Sequence, residues 1–267
     1  MTDVSEEYRE IIWEELLKVG RPDSRFHWDF SSFIADFEGS DKCVSRIVNL
    51  DSVTSRAAGR VFVTPDNCLF SLRAYLLENY IPFVMTTYGI VRGFYEIDPL
   101  KVPASDRRFA ATLDGFDMYA TPVNIEQLAA GEKFAVAVTG GSAVSRNGVR
   151  FGKGHGYFDF EYALLTELGL TTPNTIVIDV VHDCQYVDKD LPAKEHDVVV
   201  DWIITPTRSI LVENVDRSQT QIFWDRIPGT EFEDLGVTKE LAKFLDATKN
   251  SGQRSNKHKT TQQGGKA

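Results

Sequence analysis

The chain has 267 residues, 42% hydrophobic and 25% charged, which is enough for one large α/β domain. Its formal net charge of −10 argues against non-specific nucleic-acid binding, and no apolar run reaches the length of a membrane span. The acidic start (Met1 to Glu7) has no marks of a secretory signal or a mitochondrial transit peptide. Cys43, Cys68 and Cys184 are too widely spaced for a disulfide framework or a zinc knuckle, so a cytoplasmic protein with reduced thiols is expected.

In chain order, residues 5–19 are predicted to form an amphipathic helix, with Ile11, Ile12, Leu16 and Val19 on one side. Residues 20–46 read as an aromatic-rich loop whose Phe26, Trp28, Phe30, Phe33 and Phe37 either wrap the core or flank a flat ring. Arg60 to Val63 is a short strand. Pro65 and Asp66 open a helix carrying Leu69, Leu72, Leu76 and Tyr80, and Pro82 to Thr86 is a second strand. Met118 to Ala120 suggests a third strand, ahead of a short helix over Ile125 to Ala130.

Phe134 to Val138, Thr175 to Val181 and Val198 to Ile204 are apolar runs suited to strands buried on both faces, and Lys239 to Leu245 is a last short helix. The pattern is that of an α/β fold: a mostly parallel sheet with helices on both faces and its ligand at the carboxyl ends of the strands. Residues 1–246 form a single domain in this reading. Residues 247–267, polar and basic, form a disordered tail.

The segment that carries chemistry is Gly148-Val149-Arg150-Phe151-Gly152-Lys153-Gly154-His155-Gly156-Tyr157-Phe158-Asp159. It enters a helix whose Phe160, Leu164 and Leu168 recur every four residues, with Gly169 placed to end it. Glycines let a backbone approach an anion and turn its N–H groups inward, and a helix N-terminus adds unpaired donors. Arg150, Lys153 and a protonated His155 add charge, and Asp159 is a candidate to hold a magnesium ion bridging phosphate oxygens. The spacing fits neither the P-loop nor the dinucleotide fingerprint, because Gly154 follows Lys153 and only one residue separates Gly154 from Gly156.

The order of residue types resembles the glycine-rich signature of the 5-formyltetrahydrofolate cyclo-ligase family. Phe151 stands for that signature's Leu and Phe158 for its second Tyr. A second block agrees: Cys184-Gln185, Leu191-Pro192, Glu195-His196-Asp197, Val200-Asp201 and Thr205, with Gly140-Gly141 loosely matching a Pro-Gly turn upstream. His182 to Gln185, the Phe160-Glu161-Tyr162 step and Thr205 to Arg208 resemble a divergent branch, the methenyltetrahydrofolate synthetase domain-containing proteins.

The resemblance implies a NagB/RpiA-like cyclo-ligase fold and an ATP- and magnesium-dependent ligase of one-carbon metabolism. In that reaction ATP phosphorylates the formyl oxygen of 5-formyltetrahydrofolate, N10 attacks the activated carbon, and phosphate leaves to give the 5,10-methenyl product and ADP. It implies that Arg9, Gly152, Lys153, Gly154, His155 and Gly156 bind ATP phosphates. Arg150, Lys153 and Tyr157 would serve catalysis, and Asp159 and Asp197 would bind magnesium. The alternative is a non-catalytic or regulatory member that retains a nucleotide or folate site.

The family's N-terminal helix bears a Lys and an Arg; here Arg9 matches one and no Lys precedes it. His155 stands where a more basic residue is usual. Other readings stay open. Asp159 also suits a first-turn acid and Asp197 a turn residue. Asp201, in an apolar run, requires a partner, with Arg150 one candidate. His182, Asp183, Cys184, His196 and Asp197 are an alternative transition-metal set. Arg92-Gly93-Phe94-Tyr95 starts like an RNA-recognition signature, but Glu96-Ile97 breaks it.

Overall fold

The computed structural model describes residues 4–54 and 59–261; the side chains of 4–11, 52, 54 and 250–261 lie outside the described set. Helix α1 (Val4–Val19) leads to the short antiparallel pair β1 (Gly20–Arg21) and β2 (Asp36–Phe37). Next come α2 (Ser40–Val48), α3 (Asp51–Thr54), β3 (Arg60–Val63), α4 (Phe70–Glu78), β4 (Phe83–Thr86), β5 (Phe94–Ile97), α5 (Arg107–Ala110), α6 (Leu113–Tyr119), β6 (Thr121–Val123) and α7 (Ile125–Ala129). The second half holds β7 (Phe134–Gly140), β8 (Ala143–Ser145), β9 (Arg150–Phe151), α8 (Tyr157–Glu167), β10 (Ile176–Val180), β11 (Tyr186–Val187), β12 (Trp202–Ile204), β13 (Ser209–Leu211) and α9 (Gly236–Thr261).

The main sheet runs β13-β12-β10-β7-β3-β4-β5-β6. Its central strands β12, β10, β7, β3 and β4 are parallel, and β13, β5 and β6 add antiparallel edges. Chain order reverses between β3 and β7. A parallel sheet opens a crevice at such a reversal, outside the carboxyl ends of its strands.

Alternation along the strands feeds both faces. On β7, Ala137 packs with Leu164 and Leu165 of α8 on one side, while Val136 and Val138 pack with Leu72 and Leu76 of α4 on the other. Burying each such Val or Leu stabilises the fold by roughly 1.5–3 kcal/mol. The α/β class, with helices on both faces of a mostly parallel sheet, is thus observed. Cys43, Cys68 and Cys184 are free thiols, and burial pushes Cys43 up to about 12.

Several expectations need correction. Residues 20–46 contain α2 as well as loop; of the two readings of the aromatics there, burial of Phe33 and Phe37 bears out the one in which they wrap the core. Met118 and Tyr119 close α6, whose Thr112 caps the helix by accepting from the Gly115 N–H; the strand is Thr121–Val123. Phe94 to Ile97 adds a strand of the main sheet that was not expected.

Asp66 stands at the N-cap of the 3-10 turn Asn67–Leu69 that leads into α4, as the sequence suggests, but its side chain makes no capping bond. Its carboxylate turns to the Gly140 N–H at 2.9 Å, and α4 begins only at Phe70. Val198 to Val200 precede the strand because their N–H groups are used elsewhere: Val198 donates to Asp159 and Val200 to the Gly148 carbonyl. Helix α9 runs on through positions 247–261 and is anchored by buried Val237 and Leu241; positions 262–267 of the expected tail lie outside the described residues.

Candidate functional site

The site is built where β7 ends. β8 and β9 form a hairpin pairing Val144 with Arg150 and Ala143 with Phe151. Its turn needs glycine at 148, where φ is +77° and a Cβ would stand 2.7 Å from the Val200 carbonyl oxygen. The hairpin delivers Arg150 inward, with its side chain 5% exposed. Gly152 to Gly156 then lead into α8. Gly156 is the N-cap at φ +74° and supplies no side-chain cap, which leaves the first-turn N–H groups to the site. Gly169, at φ +69°, ends the helix with its N–H on the Thr166 carbonyl, as the sequence suggests.

One cavity of about 340 Å³ collects nearly every residue singled out: Arg150, Gly152, Lys153, Gly154, His155, Gly156, Tyr157, Asp159 and Asp197 all line it. Its volume is within the range of small-molecule sites. It opens at the carboxyl ends of β3, β4 and β7, since Thr64, Asp66, Tyr88, Thr139 and Gly140 also line it. Arg9 lies on α1, and its side chain is outside the described residues. The aromatic group at Phe26, Trp28, Phe30, Phe33 and Phe37 does not line the cavity. Phe33 stacks on Phe26 with ring centroids 4.6 Å apart.

The floor is polar and buried. Arg150 donates from Nη2 to Asp159 Oδ2 and from Nη1 to the Gly140 carbonyl, each at 3.3 Å, and lies over the Phe158 ring. Asp159 also accepts from the Val198 N–H at 2.9 Å; burial raises its pKa and Arg150 opposes the rise. Asp66 accepts from Thr64 and from Gly140, and burial raises its pKa as well. Glu161, hydrogen-bonded by Thr86, is pushed up to about 8 by burial. Asp179 on β10, behind the floor, is also pushed up to about 8 by burial. Asp66, Glu161 and Asp179 are what the sequence reasoning missed. Glu161 left a signal, an acid within the apolar run of α8.

The rim carries the cations. Lys153 donates to the Phe30 carbonyl at 2.6 Å and sits 4.8 Å from the Trp13 ring centroid, so its ammonium ties the glycine loop to the N-terminal segment. His155 Nδ1 meets Glu231 at 2.8 Å, and the Tyr157 hydroxyl donates to the same carboxylate. Burial, then Glu231, raises the Tyr157 pKa. Asp201 finds its partner in Arg217 at 2.8 Å and not in Arg150.

Asp159 and Asp197 form the candidate magnesium pair. Asp197 accepts from the Lys194 N–H at 2.7 Å, and its other oxygen lies 3.6 Å from His196 Nε2. Among the described residues no three His, Cys, Asp or Glu side chains gather as a metal cage. The donor set still suits magnesium, which takes one or two carboxylates and completes its shell with water and phosphate oxygens. The alternative transition-metal set is dispersed. His182 faces Cys184 at 3.2 Å, and Asp183 is held by Thr205, Thr207 and Arg208.

Residues 8–206 match the model of the 5-formyltetrahydrofolate cyclo-ligase family. The chain belongs to that family. It is 33% identical over 211 residues to a human methenyltetrahydrofolate synthase domain-containing protein, a match covering 78% of this chain and 54% of that one. It is 31% identical over 225 residues to the Bos taurus protein of the same name, covering 83% of this chain and 57% of that one. The match therefore spans just over half the length of these curated relatives. The NMR structure of Aquifex aeolicus 5,10-methenyltetrahydrofolate synthetase is similar at 16% identity and a TM-score of 0.46, over 80% of this chain and 95% of that one. No helix among the described residues is long and apolar enough to cross a membrane.

Proposed function

We propose that this chain catalyses the ATP- and magnesium-dependent closure of 5-formyltetrahydrofolate to 5,10-methenyltetrahydrofolate, in the cytoplasm. The observation that carries the proposal is the convergence in one cavity of the glycine loop, the uncapped N-terminus of α8 and buried Arg150. Phosphoryl transfer asks a protein mainly for positioning and for charge stabilisation at the equatorial oxygens.

The backbone N–H groups from Gly152 to Gly156 and the first turn of α8 hold phosphate oxygens. Arg150 faces the charge that develops on the transferred phosphoryl group, and Lys153 and His155 keep the rim positive. Asp159 and Asp197 hold magnesium, which neutralises phosphate charge when bound. Tyr157, fixed by Glu231, limits where the formyl group lies. Membership in the cyclo-ligase family supports this reaction over other phosphoryl transfers.

A second reading, a member that binds nucleotide or folate without turnover, has one observation in its favour. Both oxygens of Asp159 are already engaged, by Arg150 and by Val198. Calorimetric titration of ATP with magnesium, run beside an assay of the methenyl product's absorbance, separates the two. Binding with product formation supports the first reading, and binding without product supports the second.

A further inference from the structure

We propose that Asp179 is a positioning residue for Arg150: it receives the guanidinium when Asp159 turns to a magnesium ion. The inference rests on the reading of this cavity as a magnesium–nucleotide site.

Three observations lead to it. Asp179 is wholly buried on β10, and neither of its oxygens meets the geometry of a hydrogen bond; Arg150 and the Val180 N–H are the neighbours that favour its charge. A buried carboxylate without a partner is unusual enough to require an explanation. Arg150 Nε is likewise buried and unpartnered. Both groups border Gly141, where a Cβ would stand 2.8 Å from Asp179 Oδ2 and 3.3 Å from Arg150 Cγ. A side chain at 141 would keep them apart, and a bare α-carbon lets them meet.

Arg150 therefore has Asp179 beside it as well as Asp159, and it holds Asp159 by one contact of 3.3 Å that is long for a charge-assisted bond. A divalent ion on Asp159 repels the guanidinium from that carboxylate. Asp179 then keeps the arginine folded on the cavity floor, under the phosphate, where an unpaired guanidinium would otherwise swing away. The cation and the arginine thus serve the phosphate together instead of competing for Asp159.

The test is calorimetric titration of ADP, with and without magnesium, into the full-length protein and into Asp179→Asn and Gly141→Ala. Gly141 has no positive φ, so its backbone accommodates alanine. The expected result is that magnesium strengthens ADP binding to the unmodified protein. In both variants that gain falls by about tenfold or more, while magnesium-free affinity stays within about twofold. A general structural lesion would weaken both affinities alike. An undiminished magnesium gain in Asp179→Asn overturns the inference and leaves the site reading intact. If that variant does not fold, an undiminished gain in Gly141→Ala does the same. Absence of ADP binding to the unmodified protein overturns the site reading and the inference with it.

Discussion

Arg150 and Asp159 meet at 3.3 Å on the cavity floor, and Arg150 is a cation that also bears on Asp66, Glu161 and Asp179. Replacing it with methionine leaves those acids without it. Burial already raises their pKa values, and losing Arg150 raises them further, so the folded protein binds more protons than the unfolded chain over a wider pH range. Stability then falls as pH rises. Arg150→Met is expected to lose about 3 kcal/mol at pH 8 and less at pH 5, read by urea unfolding at the two pH values.

Asp179 gives the complementary case. Its folded pKa of about 8 lies above the ordinary 3.8, so below pH 4 it costs the fold little. The cost grows as pH rises from 4 toward 8 and levels off above that. Asp179→Asn removes the ionisation and keeps the shape. It is expected to stabilise the protein by roughly 2 kcal/mol at pH 8 and by much less at pH 4.5, read as the difference in denaturant midpoint.

Asp201 and Arg217 form a second, structural pair. Arg217 also donates to the Val199 and Thr175 carbonyls, and Asp201 accepts from the Val177 N–H at 2.7 Å. Neither residue lines the cavity. Asp201→Ala is expected to lose about 2–3 kcal/mol of stability with ADP affinity unchanged below the melting transition. A change in affinity without a change in stability would place Asp201 in the site instead.

Gly156 tests the backbone of the cradle. Nothing crowds a Cβ there closer than Asp159 Oδ2 at 4.0 Å, so the penalty for alanine comes from φ +74° alone. Gly156→Ala is expected to lose about 1–2 kcal/mol and to weaken ADP binding by re-aiming the first-turn N–H groups of α8. Alanine at Gly169, also at positive φ but at the far end of the helix, should lose similar stability and leave binding alone.

Much of this was legible in the chain. The run from Gly148 to Asp159 stood out because glycine spacing, basic residues and a helix start coincide within twelve positions, and most of its residues line one cavity. The strand Ile176–Val180 stood out because Val177 and Ile178 put an apolar side chain on each face in turn. What stayed hidden depends on contacts distant in sequence. Asp66 read as a helix opener, and its acceptor role appears only once β3 and β7 lie side by side, 74 residues apart in the chain. Lys153 read as a phosphate ligand, yet its ammonium meets a carbonyl 123 residues away. Val198 to Val200 have strand-like side chains, but their N–H groups serve α8 and the Gly148 turn.

The most direct test of the account is the formation of 5,10-methenyltetrahydrofolate from 5-formyltetrahydrofolate by purified protein, followed by absorbance with ATP and magnesium both present, each omitted in turn, and in the Lys153→Ala and Asp159→Ala variants. Product is expected only with both present, with a rate lowered by at least about tenfold in each variant. Measurable ATP binding without any product, or turnover left intact in both variants, would contradict it.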